Sequence, residues 1–319
     1  MTIAWVIGSG GLLGSALCRA LQYHGTVLFC PVERFCWGDE HTLKLQIVEA
    51  VRTFATNVGT NDQWEIYWAA GVGTMSSTEA NLRPETEALS AFIQQVSSRQ
   101  ILMETKGVMV LASSAGAIYA GATEDVVTEN TLPAPTTAYA REKLKQEDLV
   151  RLFALNKRGG AALIARISTL YGPGQAVGKQ QGLIAHIARC VLRNQPIQIY
   201  VPFDTIRDYI AADDAAAAMI ATLRAPCDGP NIRTKIIASE KPTTIAEIIS
   251  VFKKLSRHPP RIVTSASKLT SVYSRRVQFK SVAVPKFALP SQTSLLVGIA
   301  QVMSAERIAY TRCSGARDV

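Results

Sequence analysis

Tyr139 and Lys143 are separated by Ala140-Arg141-Glu142 in a stretch of helix-forming composition, so both side chains project from one helix face, one turn apart. The spacing matters because a phenol with an ordinary pKa near ~10 is a poor base at neutral pH unless positive charge favours the phenolate. Lys143 together with a cationic group brought by a ligand would supply that charge, and the same lysine can hold sugar hydroxyls of that ligand. Upstream, the apolar run Val108–Ala112 ends in Ser113-Ser114-Ala115-Gly116-Ala117-Ile118-Tyr119, which places hydroxyls at the strand edge where open α/β sheets bind ligands. Ser114 is the preferred residue to orient a substrate oxygen for proton exchange with Tyr139, and Ser113 is a second substrate contact. Tyr-x-x-x-Lys alone also describes a core tyrosine beside a surface lysine, and each serine also fits a strand-end cap. Position decides between these readings.

The position is set by the start of the chain. Ile3–Ile7 runs directly into Gly8-Ser9-Gly10-Gly11-Leu12-Leu13-Gly14 and an amphipathic helix, the strand-turn-helix context of a dinucleotide phosphate site. Gly8 permits the tight turn, Gly11 a close approach to a pyrophosphate, and Gly14 close helix-strand packing, while the helix N-terminus supplies amide donors. The expected cofactor contacts are Gly8, Gly11, Leu12, Leu13, Gly14, Ala69, Ala70, Tyr139 and Lys143. After the second strand, Cys30-Pro31-Val32-Glu33-Arg34 puts Val32 where an acidic ribose ligand is expected. Glu33 could substitute for it, and Arg34 could hold a 2′-phosphate, so NADP is the expected cofactor and NAD the alternative.

Elements that position these residues follow from periodicity. Ile3–Ile7, Thr26–Cys30, Trp64–Ala69, Val108–Ala112 and Ala162–Ile167 read as buried strands, and helical patterns cover Leu12–Tyr23, Thr42–Phe54, Pro84–Val96 and Ala138–Leu155. Repeated βα units imply an α/β fold, a Rossmann doubly wound parallel sheet. Any extra strand before Trp64 must be short, at Phe35–Trp37. The domain boundaries expected are 1–170 for the NAD(P)-binding Rossmann domain and 171–319 for a smaller, mainly substrate-binding α/β domain. Within the latter, about 204–240, with helix Asp214–Leu223 and strand Thr234–Ile237, returns to the Rossmann layer. A helix is expected at Leu183–Leu192, and Asp213 or Asp214 is expected to cap the alanine-rich helix.

Composition narrows the classes. The 319 residues carry a net charge of +9, but Lys and Arg are dispersed without an aromatic-basic stripe, which favours a phosphorylated small molecule over nucleic acid. No secretory signal or membrane-length apolar run is visible, so a cytoplasmic location is expected. The six cysteines and four histidines are scattered without C-x-x-C pairs, which suggests neither a disulfide framework nor a metal site.

With these motifs in place, the chain resembles the extended short-chain dehydrogenase/reductase family of the NAD-dependent epimerase/dehydratase type, from Gly8 to about Leu255. The family's glycine turn falls on Gly8, Gly11 and Gly14, and its catalytic pair on Tyr139 and Lys143. Ser113–Tyr119 is similar to its serine-rich strand end, although the position four before Tyr119, often a catalytic Ser or Thr, is Ala115. Arg166-Ile167-Ser168-Thr169-Leu170-Tyr171-Gly172-Pro173-Gly174-Gln175 is similar to its domain-crossover signature, with Thr169 as a substrate contact where Asn is common. Arg207, in Ile206–Ile210, takes by resemblance the role of reaching a nucleotide diphosphate, and Arg275 or Arg276 could add a phosphate contact. Tyr200-Val201-Pro202-Phe203-Asp204 stands where a Gly-Asp-Gly turn is common.

The resemblance implies a nucleotide-sugar epimerase or reductase, with a nucleotide-sugar substrate and a homodimer built through Pro84–Val96 and Ala138–Leu155. Ala115, Gly116 and Ala117 stand where a dehydratase carries an acidic pair, which argues against dehydration. The alternative is a dinucleotide-binding sensor or scaffold protein with altered catalysis, supported by Ala115, Thr169 and the missing Gly-Asp-Gly turn.

Overall fold

The computed structural model describes residues 1–175, 182–226, 231–256, 260–264, 277–283 and 292–315. Elements are numbered in chain order. The main sheet contains β1 (Thr2–Ile7), β2 (Val27–Phe29), β3 (Gln63–Trp68), β4 (Lys106–Ser114), β5 (Ala161–Ile167) and β9 (Ile232–Ile237). Its order is β2-β1-β3-β4-β5-β9, and every pairing is parallel. The reversal of direction lies at β1, next to β3, the switch point at which open sheets of this kind bind ligands.

Side-chain alternation along these strands sorts the core into two layers. Ile3, Trp5, Ile7, Trp64, Ile66, Trp68, Met109 and Leu111 pack with α2 (Glu40–Asn57), α3 (Glu79–Ser97) and α6 (Ala138–Asn156). Ala4, Val6, Tyr67, Val110, Leu163 and Ala165 face the other way, onto α1 (Leu12–Tyr23) and α8 (Ala212–Arg224). Two short helices, α4 (Gln100–Glu104) and α5 (Ala115–Ile118), flank β4. The strands are buried on both faces, which is why they read as apolar runs rather than alternating ones.

The remaining elements form a second cluster. β6 (Thr169–Tyr171), β8 (Ile206–Ala211) and β10 (Pro242–Thr244) make a sheet in the order β10-β8-β6, and β7 (Ile197–Ile199) pairs with β11 (Ile262–Thr264). α7 (Leu183–Leu192), α9 (Ile245–Leu255) and α10 (Leu295–Gly315) pack around Tyr171, Tyr209 and Ile299. α9 opens with a capping box, Thr244 bonding the Glu247 amide while Glu247 bonds back. No described helix is long and apolar enough to cross a membrane.

Three expectations are corrected. No strand forms at Phe35–Trp37: residues 30–39 are a loop, and β2 is the sheet's edge. Phe35 instead packs on the core and Trp37 meets Trp68 edge-on at 6.2 Å, so these aromatic side chains are used in tertiary packing. The helix expected from Pro84 begins at Glu79, with Pro84 inside it; the missing N–H leaves the Ala80 carbonyl without its usual partner. α8 follows β8 without a side-chain cap, from Ala211. Asp213 pairs with Arg19 at 2.5 Å, and Asp214 accepts the Thr293 amide at 2.8 Å and its hydroxyl at 3.0 Å. Both carboxylates still lie in the first turn, where the helix dipole favours them.

Candidate active site

The turn after β1 is built so that only glycine fits at its two ends. Gly8 has φ +88°, and a Cβ there would lie 2.7 Å from the Ala70 nitrogen; at Gly14 a Cβ would lie 2.0 Å from the Gly8 carbonyl oxygen. The Gly11 amide closes the turn onto that same oxygen at 2.9 Å. Gly11 is the N-cap of α1 and offers no side-chain bond to the first turn, so the amides of Leu12, Leu13 and Gly14 lack intrahelical partners. A Cβ at Gly10 would meet nothing within 4 Å. Uncapped amides at the start of a helix that follows a glycine turn are the arrangement a pyrophosphate fits. Leu13 is buried in the core, and Leu12 packs at its edge.

Ala69 and Ala70 lie directly against Gly8, and the loop continues through Gly71 to Gly73, where a Cβ would be 3.4 Å from Cδ2 of Tyr139. This loop therefore joins the glycine turn to the Tyr139–Lys143 pair. α6 starts where Thr137 accepts the Ala140 amide at 3.2 Å, which places Tyr139 in the first turn. Lys143 is only 6% exposed; its Nζ donates to the Ala112 carbonyl at 3.3 Å and to Oε1 of Gln146 at 3.0 Å, and lies 5.8 Å from the Tyr139 ring centre.

The two serines at the end of β4 point in different directions, as adjacent strand residues must. The Ser114 hydroxyl lies near enough to the Tyr139 phenol to favour its ionised form and accepts the Ala117 amide at 3.4 Å. Ser113 is buried, and its hydroxyl donates to Glu147 at 2.7 Å. Ala115 is wholly buried, so the hydroxyl facing Tyr139 comes from one residue earlier than the resemblance places it.

Electrostatics follow the burial. Tyr139 is raised above the usual phenol range, first by burial and then by the Glu85 carboxylate, with the Ser114 hydroxyl opposing. Burial pushes Lys143 down from the usual lysine range, while Glu85 and Glu147 hold it up. Without a ligand, the phenol thus keeps its proton at neutral pH. A cation must arrive nearby before it becomes a base.

The other expected contacts are spread around the sheet edge. Arg34 is exposed in the loop after β2, and Nε2 of Gln46 donates to its carbonyl at 3.1 Å and to Glu33 at 3.3 Å. Thr169 opens β6, half-buried and paired in register with Tyr209, and Arg207 lies on the neighbouring β8, where its guanidinium donates to the Ile206 carbonyl at 2.8 Å. Arg275 and Arg276 lie outside the described residues. Among the described residues, no group of His, Cys, Asp and Glu is placed to hold a metal.

Two features were not anticipated. Glu147 is fully buried and takes Arg166 through both oxygens, at 2.9 and 2.7 Å, while Arg166 also donates to the Tyr119 hydroxyl at 2.5 Å. Glu85, on α3, accepts the Val72 and Gly73 amides. The signal for Glu147 was available: it lies four residues after Lys143, on the face that packs against β4. Glu85 carried no local signal, because its partners lie twelve and thirteen residues away.

Comparison with known proteins adds to this geometry. Over 96 residues the chain is 32% identical to a dTDP-L-rhamnose 4-epimerase of Burkholderia thailandensis, covering 30% of this chain and 26% of that one. Over 115 residues it is 30% identical to a dTDP-4-dehydro-6-deoxyglucose reductase of Escherichia coli, covering 36% of each. The aligned stretches therefore span well under half of those relatives. The solved structure of MoeE5 in complex with UDP-glucuronic acid and NAD matches over 97% of this chain and 100% of that one, with a TM-score of 0.76 at 22% identity, which is a likeness of fold. The family model described as NAD dependent epimerase/dehydratase matches residues 4–237, and on that match the chain belongs to the NAD dependent epimerase/dehydratase family.

Proposed function

We propose that the chain is a nicotinamide-dependent nucleotide-sugar epimerase or reductase in which Ser114, Tyr139 and Lys143 manage the proton at a reacting sugar hydroxyl. The observation that carries this reading is the single stretch of loop, 69–73, that abuts Gly8 at one end and Tyr139 at the other. A bound nicotinamide dinucleotide would supply the hydride acceptor or donor. Tyr139 exchanges the proton of the sugar oxygen, Ser114 orients that oxygen, and Lys143, fixed by Ala112 and Gln146, places positive charge beside the phenol. A reductase stops after one hydride transfer, whereas an epimerase oxidises, turns the keto sugar and reduces it from the other face. Residues 115–117 offer no carboxylate at the strand end, so dehydration is not part of the reading.

NADP is the proposed cofactor, with NAD the alternative. The Arg34 guanidinium has no partner among the described residues, while Glu33 is taken up by Gln46. Arg207 and Thr169 are the proposed contacts on the nucleotide-sugar side, Ser113 acting there only through the strand it anchors. The two-part division at about residue 170 then separates cofactor from substrate. A homodimer through α3 and α6 is proposed because Leu152 and Leu155 are exposed on the outer face of α6, and a cytoplasmic site of action fits the pools of both small molecules.

The test is binding of NAD(H) and NADP(H) by nicotinamide fluorescence, followed by turnover on UDP-, GDP- and dTDP-sugars. Binding of one dinucleotide with hydride turnover is expected, and Arg34→Ala should weaken NADP(H) about tenfold while leaving NAD(H) nearly unchanged. Failure to bind either dinucleotide would sink the reading.

A further inference from the structure

Glu85 stands on α3 directly after Pro84, and its Oε1 accepts the backbone N–H groups of both Val72 and Gly73 at 2.7 Å. A Cβ built at Gly73 would lie 3.4 Å from this oxygen and 3.4 Å from Tyr139 Cδ2, so the carboxylate and the phenol ring flank one backbone position. The neighbouring residue locks the geometry. Thr86 donates to Glu142 on α6 at 2.8 Å and accepts Nε2 of Gln146 at 3.2 Å, and Gln146 in turn holds Lys143. Oε2 of Glu85 has no hydrogen-bond partner among the described residues.

We propose that Glu85 is a positioning residue of the Tyr139–Lys143 pair: its two amide bonds clamp the 71–73 turn beside the phenol and set its carboxylate on the same side of the ring. The tyrosine then waits protonated, the state from which it gives a proton to a ketone oxygen. In that direction the carbonyl carbon takes hydride from the reduced dinucleotide and the oxygen takes the proton Tyr139 gives up. The proposal rests on the functional reading above.

The other charges around the pair are accounted for. On α6, Glu147 is neutralised by Arg166 and Arg151, and Glu142 is paired with Lys145. On α3, Glu87 pairs with Arg83 at the exposed face. β4 and α5 contribute Ser114 and apolar residues. Among the described residues, Glu85 is thus the carboxylate acting on Tyr139 whose charge is not met by a cationic side chain, and it acts on Lys143 as well, helping to hold that ammonium in its charged form.

Glu85→Gln keeps an oxygen for the two amides and removes the charge. The readout is tyrosinate absorbance against pH in the complex with oxidised dinucleotide, each protein minus its Tyr139→Phe counterpart, so that only Tyr139 is followed. The midpoint should fall by roughly one pH unit in Glu85→Gln, with little change in melting temperature. An unchanged midpoint, with or without a lower melting temperature, would show a merely structural role and overturn the proposal. If neither dinucleotide binds, the functional reading fails, and hydrogen exchange at the Val72 and Gly73 amides of the free proteins still judges the clamp: faster exchange in Glu85→Ala than in wild type is expected, and equal exchange overturns it. Should the Gln variant not fold, Glu85→Thr, neutral and able to accept one amide, is expected to give the same downward shift.

Discussion

One face of α6 carries two charged groups a turn apart, and they differ in how completely they are bonded. Glu147 is wholly buried and receives Arg166 through two bonds, Ser113 through one and Arg151 through another. Burial would push its carboxyl up, but the bonds and charge of Arg166, with Ser113 and Arg151, win and hold it below the usual range. Lys143, four residues earlier, uses two acceptors for an ammonium that has three donors, and the Tyr139 phenol above it lies beside the Ser114 hydroxyl. A buried charge that is fully partnered holds structure together, whereas one left a spare donor at the ligand edge of a sheet is available for chemistry. Proximity on the helix says little about which role a residue has. The number of unmet bonds separates them.

The sharpest way to break this comparison is to remove the reactive group and leave the packing. Tyr139→Phe should lower turnover by roughly 10²–10⁴-fold while leaving the melting temperature and dinucleotide binding near wild type; a variant that keeps its rate would move the chemistry elsewhere. Glu147→Ala should do the reverse, costing about 3–5 kcal/mol of stability because it strands Arg166 in the interior, as read by urea or thermal unfolding. The same carboxyl sets an acid limb. Since its folded pKa lies below the unfolded value of about 4.3, its contribution is present above that pH and lost as pH falls through the folded value. Glu147→Gln should therefore flatten the fall of stability between neutral and acid pH. An equally steep acid limb in Glu147→Gln would assign that limb to other carboxylates.

How much of this was legible before the structure depends on where the partners lie. The parallel sheet could be read because each strand is buried on both faces and so appears as an apolar run, and because the glycine turn sits between β1 and α1 in contiguous sequence. The stretch before Trp64 leaves room beside its one helix only for a short strand at Phe35–Trp37, yet Trp37 packs on Trp68, thirty-one positions away, and no local pattern records that. Tyr139, Lys143 and the serines were legible as a set through their spacing and their place after β4. The division of labour between Ser113 and Ser114 was not, because it depends on which of them meets the buried Glu147 and which lies beside Tyr139, and adjacent positions do not record that. Arg166 read as part of a crossover signature, and only its bidentate bonds to Glu147 show what its side chain does in the fold. Asp213 and Asp214 looked like caps because acidic residues before an alanine run usually are, but β8 passes into α8 too abruptly to leave either outside the helix.

The adjacent serines give the finest test of the same distinction, since they differ by one position on one strand. Ser114→Ala removes the hydroxyl beside Tyr139 and should lower turnover about 10²-fold, in the range found for loss of one oriented donor at a reacting oxygen, with unfolding unchanged. Ser113→Ala removes one of the bonds to a buried carboxylate and should cost about 1.5–3 kcal/mol of stability while turnover of the folded protein stays within a few-fold of wild type. The double variant should show the two losses adding independently, because the hydroxyls sit on opposite sides of the pleat and share no partner. Parallel rate and unfolding measurements on the three variants decide it: a loss of rate in Ser113→Ala as large as in Ser114→Ala would mean that Glu147 and Arg166 reach into the reaction, and that the buried pair and the proposed Tyr139–Lys143 pair are one network.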